Sequence, residues 1–246
     1  MNLGLEGRTA LVLGASSGLG LACAEALREE GANVVMFARR AELLRQEAAR
    51  LGATAIVGDV FRHSSLENAV EAAVERYGGL DIVVLNGGGP PPGPATAISD
   101  DAILRAVELL LRPVVRLVGA STPYLRASGQ GRIISISSVS AQEPIRNLAL
   151  SNAVRPGVWG YLKTLADELA ADDITVNAVG PGRIATARME ELYDGAPPQA
   201  EIDAIPLGRF GDPRELGDVV CFLASKRASY INGTLLRIDG GLSRSL

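Results

Sequence analysis

Short apolar runs alternate with amphipathic stretches along the whole chain. Residues 9–13, 33–38, 53–57, 80–85, 132–136, 174–179 and 234–238 read as strands, being short, rich in branched side chains and apolar nearly throughout. Between them, apolar positions recur at helical spacing over residues 21–28, 42–51, 64–77, 100–125, 158–171 and 213–224. Ser64 is expected to cap the third helix and Gly78-Gly79 to end it. Pro113 is expected to kink the long fourth helix, and Pro156-Gly157 to delay or kink the fifth. Strands that are apolar on both faces belong in a parallel sheet with helices on both sides. Right-handed crossovers then make the expected architecture an α/β, doubly wound, seven-stranded parallel sheet, one domain over residues 1–246. The one long irregular stretch, about residues 184–207, holds Gly195, Pro197, Pro198 and Pro206 and is expected to be a substrate lid.

The composition fits that architecture. Of 246 residues, 47% are apolar, enough to fill one core. The net charge of −4 and the lack of a basic stripe exclude a nucleic-acid surface and an anionic-membrane surface. Cys23 and Cys221 fall inside helical patterns and are expected to be reduced packing residues. His63 is the only histidine, so no metal site is expected, and a surface position at a strand-to-helix junction accounts for it. Glu6 and Arg8 interrupt the N-terminal stretch and no apolar run is long enough to span a bilayer, so the expected location is cytoplasmic.

The first strand runs into Leu13-Gly14-Ala15-Ser16-Ser17-Gly18-Leu19-Gly20, and a helical pattern follows. Glycines at such a turn let the chain bend sharply and bring bare backbone to a phosphate, which the helix N-terminus attracts. An ordinary tight βα turn would carry the same residues, and both readings stand. The second strand ends at Ala38-Arg39-Arg40, with no acid to accept a ribose 2′-hydroxyl. Guanidinium groups there match a 2′-phosphate, against the alternative of a solvated Arg pair. The other strands end at Asp59-Val60, at Asn86-Gly87-Gly88-Gly89 followed by Pro90-Pro91-Pro92-Gly93, at Ser137-Ser138 and at Gly180-Pro181-Gly182.

Together with Val176-Asn177-Ala178-Val179 and the closing Ile238-Asp239-Gly240-Gly241, these motifs resemble the short-chain dehydrogenase/reductase superfamily from about Leu5 to Gly241. Within it the chain is most similar to the 3-oxoacyl-[acyl-carrier-protein] reductases of fatty acid biosynthesis. The resemblance implies a Rossmann fold, NADP(H) as cofactor, a carbonyl or alcohol substrate and a tetrameric assembly. It places Gly14, Ser16, Ser17, Gly18 and Leu19 at the pyrophosphate, Arg39 with Arg40 at the 2′-phosphate, and Asp59 and Val60 at adenine. Asn86, Gly87 and Gly88 fall at the adenosine ribose, and Pro181, Gly182, Ile184 and Thr186 at the nicotinamide.

The catalytic positions depart from that family. Ser138 occupies the place of the active serine. Thirteen residues later, where the family has its tyrosine, stands Ser151; four further on, in place of lysine, stands Arg155. The supporting asparagine falls near Leu110, and Leu13 replaces a usual threonine. Tyr193, in the expected lid, is the one tyrosine that could replace the missing acid. Two functions follow from this: an NADP(H)-dependent carbonyl reductase with a rebuilt site at Ser138, Ser151 and Arg155, or a catalytically inactive nucleotide-binding protein serving as sensor or assembly subunit. Residues 215–223 and 231–238 are expected to pack across two-fold axes of a homotetramer or homodimer, with an edge helix and strand of a monomer as the alternative.

Overall fold

Alternation along β1 (Thr9–Leu13) divides its side chains between two cores. Ala10 and Val12 point to one face, Leu11 and Leu13 to the other, and all are buried. β2 (Asn33–Ala38) repeats the pattern, with Val34 and Met36 opposed to Val35 and Phe37. That is what a period of two produces in a strand with no solvent-facing side. The computed structural model describes residues 2–245 other than 188, 190–192 and 194.

Seven parallel strands lie in the order β3-β2-β1-β4-β5-β6-β7. The remaining strands are β3 (Thr54–Val57), β4 (Ile82–Leu85), β5 (Arg132–Ile136), β6 (Thr175–Pro181) and β7 (Leu235–Ile238). One face is covered by α1 (Gly18–Glu29) and α2 (Ala41–Leu51). The other is covered by α3 (His63–Tyr77), α4 (Asp100–Leu110), α5 (Arg112–Ser128) and α6 (Ala149–Glu168). A short α7 (Gln199–Asp203) lies within the stretch expected to be irregular, and α8 (Pro213–Ala224) packs beside α1 on the first face. The strand order reverses between β1 and β4, and there the crevice for a ligand opens at the carboxyl ends. The fold class is therefore the expected doubly wound Rossmann architecture.

Several local expectations need correction. The long fourth helix is two helices, interrupted at Leu111; Pro113 sits in the first turn of α5, where a missing N–H is tolerated. α6 begins at Ala149, nine residues before Val158, and carries Pro156 in its interior. The proline removes one intrahelical bond, while buried Leu150, Ser151, Val158 and Leu162 hold the helix on both sides of it. Its first turn is also pinned from outside: Gly93 N–H donates to Asn147 O at 2.8 Å and Ala149 N–H to Gly93 O at 3.3 Å. Ser64 does not cap α3, which starts one residue earlier without a side-chain cap. α8 has the apolar face expected to meet a partner subunit, but Leu216, Val220, Cys221 and Leu223 are buried in this chain's own core. Among the described residues near the end of the chain, Tyr230 and Leu236 leave large apolar surface exposed.

Cys23 and Cys221 are buried and reduced. Burial raises both thiols above their usual pKa, Cys221 to about 12. Among the described residues no helix is long and apolar enough to cross a membrane.

The turn between β1 and α1 brings backbone against backbone. A Cβ on Gly20 would meet the carbonyl oxygen of Gly14 and stand 2.7 Å from both Gly14 C and Asn86 Nδ2. Backbone cannot retreat from that contact, so Gly20→Ala is expected to destabilise the protein by about 1–3 kcal/mol. Urea unfolding of the two proteins measures it, and an unchanged midpoint would contradict the packing described.

Candidate functional site

Four loops meet at the reversal point of the sheet. The first carries the glycines. Gly14 has φ +62° and Gly18 φ +55°, the left-handed region in which a side chain is strained. Ser17 stands before α1 with extended backbone, and no side chain caps that helix. Its first N–H groups therefore point at the crevice, where an anion would meet them. Beside Gly18 the nearest neighbour of an added Cβ would be Thr186 Cγ2, at 3.7 Å. Thr186 thus lies against the glycine turn although 168 residues separate the two in the chain.

Arg40, not Arg39, reaches this loop. Its Nε and Nη2 donate to Ser16 Oγ at 3.3 and 3.2 Å, and Nη2 donates also to Ser17 Oγ. Arg39 is exposed at the end of β2. Asp59 accepts the Phe61 N–H at 3.1 Å, which shapes the turn after β3. Val60 lines a cavity of about 40 Å³ together with Asn86, Gly87, Gly88, Leu110 and Arg155. A space of that size holds one or a few waters. The structure thus brings the loop after β4, the apolar Leu110 and Arg155 to one place.

Ser138 caps a single 3-10 turn, Val139–Ala141, and its Oγ accepts the Ser140 N–H at 3.1 Å. Ser140 Oγ lies 2.9 Å from Ser151 Oγ, and Arg155 Nε donates to Ser151 Oγ at 3.1 Å. Ser140 and Ser151 are both buried. A polar chain therefore runs from Arg155 through Ser151 to Ser140, and Ser138 joins it through the Ser140 backbone. Ser140 was missed in the sequence; its only signal was a hydroxyl two residues beyond Ser138.

Pro181 ends β6, and Gly182 N–H donates to Ile238 O at 3.0 Å. A Cβ on Gly182 would stand 2.6 Å from Asp239 Cβ, so β6 and β7 end in close contact. Ile184 is buried and bridges to Gly211. Of the expected lid, residues 188, 190–192 and 194 lie outside the described residues. Tyr193 does not join the serines: its hydroxyl hydrogen-bonds with Glu201 and Arg183, and its ring meets Phe210 edge-on at 6.3 Å. Burial, with the carboxylate of Glu201 beside it, raises its pKa and makes it a poorer acid than an ordinary tyrosine.

A second cavity, of about 200 Å³, opens beside Val139 and Gly182. One wall is the end of the chain. Glu143 Oε2 accepts the N–H groups of Arg244 at 2.8 Å and Ser245 at 2.7 Å. The Ser245 N–H, followed by its hydroxyl and the Arg244 N–H, holds the Glu143 carboxyl below its ordinary value. A carboxyl lowered in the folded state contributes stability above its unfolded pKa and loses it as pH falls through the folded one. The tail contact should therefore be intact at neutral pH and loosen below the usual carboxylate range, about 4.3 and under. Amide exchange at Arg244 and Ser245, corrected for intrinsic rates, measures this. Glu143→Gln should loosen the tail at neutral pH and abolish the step; a step that survives in the variant would assign it elsewhere.

Known proteins resemble the chain over nearly its whole length. The family model described as enoyl-(acyl carrier protein) reductase matches residues 14–243. A 3-oxoacyl-[acyl-carrier-protein] reductase from Vibrio cholerae is 35% identical over 242 residues, covering 98% of this chain and 99% of that one. The Thermotoga maritima protein of that name is 34% identical over 97% of this chain and 98% of its own length. Among solved structures, an L-sorbose reductase from Gluconobacter frateurii, complexed with NADPH and L-sorbose, covers the whole of both chains at 33% identity with a TM-score of 0.93. A 3-ketoacyl-(acyl-carrier-protein) reductase from Brucella melitensis, complexed with NADH, gives a TM-score of 0.90 at 32% identity over 98% of this chain and all of that one.

Proposed function

The chain belongs to the short-chain dehydrogenase/reductase family, and from that membership we propose that it is an NADP(H)-dependent carbonyl reductase whose tyrosine and lysine are replaced by Ser151 and Arg155. The observation that carries the reading is the guanidinium of Arg40 standing on Ser16 and Ser17 at the mouth of the glycine turn. The residues fit the cofactor. Gly14, Ser16, Ser17, Gly18 and Leu19 would hold the pyrophosphate, Arg40 with Arg39 the 2′-phosphate, and Asp59 and Val60 the adenine. Asn86, Gly87 and Gly88 would lie along the ribose, and Pro181, Gly182, Ile184 and Thr186 beside the nicotinamide. When bound, the cofactor supplies hydride to the carbonyl carbon.

The protein's own part is to polarise the carbonyl and to stabilise the alkoxide. Ser138 can donate a hydrogen bond to the carbonyl oxygen. Arg155 supplies a fixed positive charge, oriented by Ser151. Neither group is a proton donor of the usual strength: a serine hydroxyl is a far weaker acid than tyrosine, and arginine keeps its proton. The alkoxide oxygen therefore takes its proton from water, which becomes hydroxide. Loss of a positioned acid lowers rates by about 10²- to 10⁴-fold. A second reading, a non-catalytic nucleotide-binding subunit, is favoured by the apolar Leu110 at the family's asparagine position. In either case the chain works as a cytoplasmic homotetramer or homodimer, and in the reductase residues 184–207 act as a lid over the substrate.

Two measurements test this. Fluorescence titration should give tighter binding of NADPH than NADH by about tenfold to a hundredfold, the size of a charge-assisted contact. Arg40→Ala should remove most of that preference and Arg39→Ala less; equal affinities in the unaltered protein would sink the cofactor assignment. Steady-state NADPH oxidation with a 3-oxoacyl thioester should run far below the common enzyme scale of about 10 per second. Turnover at that scale would refute the account of a site without an acid.

A further inference from the structure

The cavity of about 200 Å³ beside the serines has walls of mixed chemistry. Val139, Ile145 and Gly182 are apolar, whereas Glu143, Arg183 and Ser243 offer hydrogen-bonding groups. It adjoins both Ser138, through Val139, and the loop after β6, through Gly182, so a molecule held there lies next to the proposed reaction centre. Resting on the reading of the chain as a carbonyl reductase, we infer that this cavity is the substrate pocket and that it takes a compact, uncharged carbonyl compound bearing several hydroxyl groups, such as a ketose, in place of an acyl chain on a carrier.

Size and rigidity argue against the acyl chain. Pockets for drug-sized ligands run from about 300 to 1,000 Å³, so this one suits a smaller molecule. Its far wall is fixed. Ser243 N–H donates to Asp239 at 3.0 Å, Glu143 takes the next two N–H groups, and Arg237 Nη1 donates to Ser245 Oγ at 3.0 Å. A long chain would have to lift that tail away. The opposite side is held by the ion pair between Arg183 and Glu201 of α7, joined by the Tyr193 hydroxyl.

Charge argues against an anion. Arg183 is already paired with Glu201, and the Glu143 carboxylate lining the same cavity lies in the field of Arg237, so neither cation is left unshared for a carboxylate or phosphate. Hydroxyl groups suit these walls better, because each can both donate and accept. Glu143 is an acceptor, Ser243 serves either way, and Arg183 is a donor.

Isothermal titration of the full-length protein, with and without NADP⁺, separates this inference from the reading beneath it. A ketohexose and acetoacetyl-pantetheine are the two probes. The ketohexose should bind saturably and more tightly than acetoacetyl-pantetheine, and Arg183→Leu should weaken it by at least about tenfold. Should that variant fail to fold, Ser243→Leu, which fills the cavity from the tail side, carries the same expectation. Equal or tighter binding of acetoacetyl-pantetheine overturns the inference, as does no ketohexose binding or ketohexose binding unmoved by the variant. Ketohexose binding in a protein that shows no affinity for NADP⁺ would instead support the pocket and sink the reductase reading.

Discussion

The contact among Gly14, Gly20 and the side chain of Asn86 governs where everything else can stand. It brings the first helix down onto the first strand at backbone distance, with no room for one methyl group. The amide of Asn86 fills the space beside both glycines and so ties the end of β4 to the end of β1, the two strands between which the sheet order reverses. Hydrophobic burial supplies the stability of the two cores but not this register. Apolar packing is non-directional and would tolerate a helix an ångström further out. The closeness matters because the bare N–H groups of α1 must reach the crevice floor. Arg40 and Thr186 then take their places relative to that turn, one across the serine hydroxyls and the other over Gly18.

The corner of Ser140, Ser151 and Arg155 follows a different logic, in which each side chain makes sense only with its neighbour. Ser151 is buried, and Arg155 reaches it: its Nε donates to Ser151 Oγ one helical turn earlier, and the residue also lines the small cavity near Gly87 and Gly88. Ser140 completes the hydrogen bonding of a hydroxyl that would otherwise be buried with one partner. Replacing either member alone would leave a cavity or an unsatisfied polar group. The pair is a consistent structural unit, and its chemistry differs from that of a tyrosine and lysine because neither of its groups readily gives up a proton.

The strands and the glycine turn were legible because each depends on local chemistry: runs of branched residues and glycines at positive φ. What was not legible depends on distant contacts. Pro156 argues for a late helix start, yet α6 runs through it because burial on both sides and the Gly93 tether outweigh one lost bond. The apolar face of α8 is the same whether it meets α1 or another subunit, and only the fold assigns it to α1. Arg39 and Arg40 are adjacent and chemically equal; the direction the chain takes out of β2 decides which one reaches the serines. Ser140 carried no signal beyond its nearness to Ser138, since its role exists only opposite Ser151.

The positions that hold the two sides of the crevice together are far apart in the chain, and this bears on how binding and closure are coupled. Thr186 touches the glycine turn, three residues before it Arg183 pairs with Glu201, and two residues before Thr186 Ile184 anchors the strand-like bridge to Gly211. One short segment after β6 therefore contacts the expected phosphate loop, the wall of the larger cavity and the chain returning from the lid region. Anything that shifts this segment at the glycine turn is passed directly to the cavity wall, because the residues involved are consecutive and Ile184 between them is buried.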